Sequence, residues 1–214
     1  MFGKRAVGQS AEIKEKLTAG RCAVIAAHPD DETLWAGGLI LMHLGAAWRI
    51  VTLCRKSDAD RNPKFFKALG RYGAAGAMGD LDDAPEQKPL QKSVVQNTIL
   101  ELLDGESFDI VLTHSKAGEY TRHLRHEETA KAVWDLWQRG LIKSEWFLCF
   151  AYEDGGGKHL PRAIEEADIL INLPENIWQE KYDIITKIYG FEAGSFEART
   201  TPRSEAFWSF RKPA

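Results

Sequence analysis

The chain has 214 residues, 28 Lys and Arg against 31 Asp and Glu, a net charge of -3, and 44% hydrophobic with 28% charged residues. That length and ordinary globular composition fit one domain over residues 1–214 with a substantial core, and the absent basic surplus speaks against nucleic acid or an anionic membrane surface as partner. The first twenty residues are polar and no apolar run reaches the length of a membrane span, so the expectation is a cytoplasmic chain. Cys22, Cys54 and Cys149 show no CxxC spacing and read as reduced, buried thiols.

A short polar helix or arm over 11–17 leads into Cys22-Ala23-Val24-Ile25-Ala26-Ala27, a run too short for an ordinary helix and too apolar to face water. It reads as a buried parallel strand. Pro29 removes a backbone donor and restrains His28 to an extended conformation, so pairing stops where His28, Asp30, Asp31 and Glu32 begin. A helical pattern runs from Trp35, interrupted by Gly37 and Gly38, which makes 28–33 a strand-to-helix loop. In open α/β sheets such loops, at the carboxyl ends of strands, bind ligands.

A second strand follows at 48–54, and 55–63 is a polar loop at the same sheet edge. Residues 65–75 are helical in composition, 76–89 read as a loop dense in Asp80, Asp82 and Asp83, and 92–104 as a helix. The stretch 109–114 repeats the opening design, an apolar strand ending in His114, which reads as a histidine satisfied at a strand end. After the loop 115–122, His123-Leu124-Arg125-His126-Glu127-Glu128 opens a helix with Ala130, Val133, Trp134 and Trp137 on one face. Two further strands are expected at 146–152 and 168–173, separated by a flexible turn around Gly155-Gly156-Gly157 that lacks the spacing of a phosphate-binding loop. The last helix is expected at 175–189, and the tail from 190 holds Phe196, Phe207, Trp208 and Phe210, too many aromatics for a free tail. Continuous apolar strands alternating with helices predict an α/β three-layer sandwich with a mainly parallel, Rossmann-like sheet.

Three carboxylates within three residues repel and raise one another's pKa unless a cation or hydrogen bonds compensate them. Helix capping explains one acid, but not His28, Pro29 and two adjacent aspartates together. A divalent metal explains the group: His nitrogen with Asp oxygen suits zinc, whose catalytic sites take three protein ligands and leave a fourth position for water. His123 and His126, three apart at a helix start, can share one face at the same sheet edge. One of them would complete a His, Asp, His set and leave the other free for chemistry.

Ala27-His28-Pro29-Asp30-Asp31-Glu32 with the later His-x-x-His resembles the PIG-L/LmbE-like family of zinc-dependent N-deacetylases, which remove acyl groups, usually acetyl, from N-acyl glucosamine units. Val51-Thr52-Leu53, the stretch 109–114 and Lys181 also sit where that family has comparable features, so the resemblance covers most of the chain. It implies that His28, Asp31 and His126 bind one Zn2+ per chain, with Fe2+ an alternative, that Asp30 is the general base and that His123 assists at the oxyanion. The implied partner is a small-molecule N-acyl amino sugar or conjugate, with homo-oligomerisation left open. Glu32 is expected to orient a neighbour of the metal rather than bind it. Where the family often has Pro and Asp between its histidines this chain has Leu124 and Arg125, a cation that would lower the pKa of His123 unless Glu127 or Glu128 pairs with it. Arg61 and one of Asp82 or Asp83, with Asp83 preferred, are the candidates for substrate hydroxyls. The alternatives are a magnesium-dependent phosphohydrolase using Asp30, Asp31 and Glu32, and a non-catalytic binding module that keeps the metal.

Overall fold

The computed structural model describes residues 7–86, 88–120 and 123–212. The ends of the chain, one residue of the 76–89 loop and the last two residues of the 115–122 loop lie outside the described residues. In chain order the elements are α1 (Val7–Ala19), β1 (Arg21–Ala26), α2 (Asp31–Met42), β2 (Ala47–Cys54), α3 (Arg61–Tyr72), β3 (Ala75–Leu81), α4 (Lys92–Leu103), β4 (Ser107–Thr113) and α5 (Leu124–Gln138). There follow β5 (Lys143–Phe150), a two-residue hairpin of β6 (Tyr152–Glu153) and β7 (Arg162–Ala163), β8 (Ile169–Asn172), α6 (Glu175–Asp183) running into a π-helical turn (Ile184–Ile188), α7 (Phe196–Thr200) and β9 (Ser204–Arg211).

Seven strands form one sheet in the order β3-β2-β1-β4-β5-β9-β8. The first five run parallel, and β9 lies antiparallel to both β5 and β8. The unbroken apolar run of β1 has a simple cause: both of its faces are covered. Cys22 and Val24 join the core under α1, α2 and α3, whereas Ala23 and Ile25 join the core under α4 and α5. That division is the three-layer sandwich. Each fully buried aliphatic side chain contributes about 1.5–3 kcal/mol. The chain leaves β1 for β2 and β3 on one side and returns to β4 on the other, so a crevice opens between the carboxyl ends of β1 and β4. His28 follows one strand and His114 the other. No helix among the described residues is long and apolar enough to cross a membrane.

Four local expectations are corrected. α2 begins at Asp31, four residues before the helical pattern, because its first turn carries buried polar residues instead of apolar ones. The helix expected at 65–75 starts at Arg61 and ends at Tyr72, where Gly73 takes the left-handed conformation of a helix stop. The start of the supposed Asp-rich loop is strand β3, paired with β2 at the sheet edge. The tail, expected only to pack back on the body, supplies strand β9, which lies in the sheet between β5 and β8.

α2 is buried along nearly its whole length, and Gly37 and Gly38 show why it can be. A Cβ at Gly38 would collide with Leu173 and lie 3.0 Å from Glu205 Oε1. Without it, the Glu205 carboxylate of β9 accepts the N–H groups of Gly38 and Leu39 at 2.7 Å each, and Lys181 Nζ of α6 donates to the same carboxylate at 2.7 Å. Lys181 and Glu205 are both wholly buried. The three elements are thereby clamped together behind the crevice.

Candidate metal centre

Asp30 has φ 116°, a left-handed conformation that costs a non-glycine residue about 1–3 kcal/mol and persists only where its surroundings hold it. They do so here from both sides. Its N–H donates to Glu32 Oε2 at 3.0 Å, and its carbonyl accepts the N–H groups of Thr33 and Leu34 at 2.9 and 2.8 Å, which opens α2. Glu32 is itself tied down by Thr33 Oγ1 at 2.6 Å and the Tyr189 hydroxyl at 2.7 Å. Glu32 thus orients the backbone beside the centre. Neither aspartate caps the helix with its side chain: Asp31 Oδ2 turns back to accept the His28 N–H at 2.8 Å, and Trp35 Nε1 donates to Asp31 Oδ1 at 3.2 Å.

Around Asp31 four histidines converge. His28 Nδ1 lies 3.2 Å from Asp31 Oδ2, and its Nε2 lies 3.1 Å from Asp83 Oδ1. His126 Nε2 lies 3.3 Å from Asp31 Oδ1, is buried and has no hydrogen-bond partner among the described residues. His123, the residue before α5, brings its ring within 4.7 Å of His28 and 4.4 Å of His126, and its Nδ1 is likewise buried and unpartnered. His114 stacks on His126 at 4.0 Å. Ligand atoms of Asp31, His114 and His126 lie within 4.8 Å of one another, as do those of His28, His123 and His126, and of His28, Cys54 and Asp83.

A metal ion fits this donor set on two grounds. Two donors about 2.0–2.1 Å from a tetrahedral zinc are about 3.3–3.4 Å apart, and Asp31 stands 3.2 Å from His28 Nδ1 and 3.3 Å from His126 Nε2. The second ground is charge. Asp31 and Glu119 are both buried, and His114 Nε2 accepts the Ala27 N–H at 2.9 Å. Buried carboxylates call for compensating positive charge. In the metal-free protein burial lowers His28, but hydrogen bonds to Asp31 and Asp83 outweigh it and raise the imidazole well above its ordinary value, and a bound dication would take over that role.

The remaining expected residues stand on the same crevice. A cavity of about 200 Å³ is lined by Asp30, Arg61, Asp83, Tyr120, His123 and Phe196, among others. A second, of about 730 Å³, adjoins it, sharing Arg55, Asp83 and His123. Arg61 NH1 lies 3.4 Å from Asp30 Oδ2, and its guanidinium rests over the Phe191 ring at 4.4 Å. Asp83 is gripped by Arg55 at 2.7 Å, whereas Asp82 is half exposed. Burial, and then the charge of Asp31, raises the Asp30 carboxyl well above the usual range in the metal-free protein. A cation bound at Asp31 acts in the opposite direction. Burial, reinforced by His126 and His28, lowers His123 to about 4, so it is neutral at pH 7. Arg125 is not the cause of that lowering: it is buried, donating to Glu128 Oε2 and the Asp82 carbonyl at 2.6 Å each.

Sequence reasoning missed Glu119. Its Oε2 accepts from Nδ1 of both His114 and His126, at 2.9 and 2.8 Å, and its Oε1 accepts the Ser115 N–H at 2.9 Å. A single acid in a polar loop carries no periodic signal. Its neighbour Tyr120, stacked edge-on to His126 at 5.5 Å, was missed for the same reason.

The architecture is a Rossmann-like three-layer sandwich, and comparison with solved structures finds the same fold in several deacetylases. N,N'-diacetylchitobiose deacetylase from Pyrococcus horikoshii superposes with a TM-score of 0.70 over 98% of this chain and 95% of its own, at 14% identity. A deacetylase of the teicoplanin biosynthesis pathway gives 0.65 over 90% and 98%, at 15% identity, and the zinc-inhibited form of teicoplanin deacetylase gives 0.64 at 16%. At the sequence level no family model matches. An uncharacterized protein, L374 of Acanthamoeba polyphaga mimivirus, is 22% identical over 78% of this chain and 75% of its own length.

Proposed function

We propose that this chain is a metal-dependent N-deacetylase of the PIG-L/LmbE-like family, hydrolysing the N-acyl group of an N-acetylglucosamine-type sugar or conjugate. The observation that carries the reading is the Asp31 carboxylate set between His28 Nδ1 and the unpartnered Nε2 of His126, with Asp30 and His123 on the same cavity. In this reading His28, Asp31 and His126 hold the metal, Zn2+ or Fe2+. His114 is excluded as a ligand because its Nε2 lone pair is taken by the Ala27 N–H. The three-imidazole surroundings favour zinc over magnesium and so weigh against the phosphohydrolase alternative.

When bound, such a metal polarises the amide carbonyl and lowers the pKa of water to about 7. The chain does the rest. Asp30 takes the proton of the attacking water and returns it to the departing amine, so that water and amide become acetate and a free amino sugar. Neutral His123 donates a hydrogen bond to the carbonyl oxygen as negative charge grows there, a contribution typically worth about 3 kcal/mol. Arg61 and Asp83 are the groups that meet sugar hydroxyls at the cavity wall. Arg61 also keeps a positive charge beside Asp30, which favours its ionised form.

The test is acetate release from a panel of N-acetylglucosamine conjugates, with metal content measured on the same sample. Release that a chelator abolishes and zinc restores is expected. Stoichiometric metal with no release from any conjugate, or magnesium-dependent phosphate release, would overturn the proposal.

A further inference from the structure

We infer that Glu119 is a positioning residue that selects the tautomers of both His114 and His126 and thereby leaves His126 Nε2 available to a metal; the inference rests on the metal centre of the proposed function but not on its substrate. The argument starts from Ala27. A backbone N–H can only donate, so His114 Nε2, 2.9 Å away, is the acceptor and the ring proton of His114 sits on Nδ1. That proton points at Glu119 Oε2, 2.9 Å away. The same oxygen lies 2.8 Å from His126 Nδ1, and a carboxylate can only accept. His126 therefore also carries a proton on Nδ1, which leaves Nε2, 3.3 Å from Asp31 Oδ1 and without a hydrogen-bond partner among the described residues, as the nitrogen that can serve a metal.

Glu119 has no slack in this arrangement. Its other oxygen is occupied by the Ser115 N–H at 2.9 Å, so the carboxylate faces three donors among the described residues. An amide cannot replace it. With its oxygen toward Ser115, a glutamine at 119 presents NH2 to the two imidazoles and pushes at least one to the Nε2–H tautomer. For His114 that sets donor against donor at Ala27; for His126 it places a proton where the metal would bind. Turned the other way, the amide opposes the Ser115 N–H. Every orientation carries a conflict.

The chain of bonds also has a direction in the fold. Ala27 immediately precedes His28, so Ala27, His114, Glu119 and His126 link the loop after β1 to the start of α5 through the end of β4. The two halves of the centre, 98 positions apart in His28 and His126, are held in register by one carboxylate.

Two measurements test the inference without reference to turnover. In the wild-type protein, 15N shifts of the imidazoles should show a protonated Nδ1 in both His114 and His126, and a bare Nδ1 at either would overturn it. In Glu119→Gln, zinc affinity from competition with a chromophoric chelator should fall about 10- to 100-fold, the usual effect of removing a partner that orients a metal-binding histidine, with an Nε2–H signal appearing at one of the two rings. A folded Glu119→Gln protein with wild-type zinc affinity and unchanged tautomers would overturn the inference. If the variant does not fold, the wild-type tautomers still decide. Should the tautomers and affinity behave as expected while no conjugate releases acetate, the deacetylase reading fails and this one stands.

Discussion

Replacing Lys181 by methionine tests the clamp behind the crevice. The substitution keeps the length of the side chain and removes its charge, leaving the wholly buried Glu205 carboxylate, among the described residues, with the N–H groups of Gly38 and Leu39, each at 2.7 Å, as partners. Removing one member of a buried pair typically costs about 3–5 kcal/mol, because the surviving charge stays desolvated. The two backbone donors soften that without replacing a full positive charge, so the expected loss for Lys181→Met is at the lower end, about 3 kcal/mol. Removing Glu205 as well, as Lys181→Met with Glu205→Leu, relieves the stranded charge but orphans two N–H groups at about 1–3 kcal/mol each. The double variant should therefore lose less stability than the two singles lose in sum, by a measurable coupling. Urea unfolding of the four proteins gives these numbers directly, provided the slope stays constant. A Lys181→Met protein within about 1 kcal/mol of wild type would refute the reasoning and mean that water or a neighbouring cation reaches Glu205; that bound is well below the 3 kcal/mol expected from the buried pair.

Asp30→Asn should retain bound metal and lower kcat by roughly 10²–10⁴, the usual weight of a general base; near-wild-type turnover in a folded variant would remove Asp30 from the mechanism. Chelation should lower the unfolding temperature and zinc should restore it, since a ligand at a hundred times its Kd adds about 2.7 kcal/mol; identical melting with and without zinc would speak against a resident ion. The carboxyl of Asp109 is held below its usual range by the Arg21 N–H and then by Lys16. A depressed carboxylate stabilises the fold above its unfolded pKa of about 3.9 and loses that contribution as pH falls through its folded value. Asp109→Asn should accordingly flatten the acid limb of stability against pH, and an unchanged limb would show that Asp109 takes no part in it.

What could be read in the sequence depended on whether burial followed a pattern. β1 was legible because both its faces are covered and every residue after Arg21 is apolar. The start of α2 was not, because Asp31, Glu32 and Thr33 are buried for the sake of the centre and mimic a polar loop. β3, with the sequence AGAMGDL, has no β-branched residue; it is a strand because β2 pairs with it, and Gly79 lets the Leu53 carbonyl approach. The aromatics of the tail announced packing, but the buried Glu205 broke the alternation that would have announced a strand within the sheet. The expected site residues His28, Asp30, Asp31, His123 and His126 lie together in two short stretches of sequence. Glu119 is recognisable only from the three donors that surround it in space.

The position of β9 bears on how the protein is made. α2 is synthesised more than 160 residues before the carboxylate that accepts its Gly38 and Leu39 N–H groups, which is residue 205. At about 5–20 residues per second the interval between them is roughly ten to thirty seconds. During that time Gly38 and Leu39 at the middle of the helix lack the carboxylate that anchors them, and β5 has an unpaired edge where β9 will lie. The nascent chain is thus exposed to wrong strand pairing until β9 has been made, and the helix that carries Asp31 settles only then.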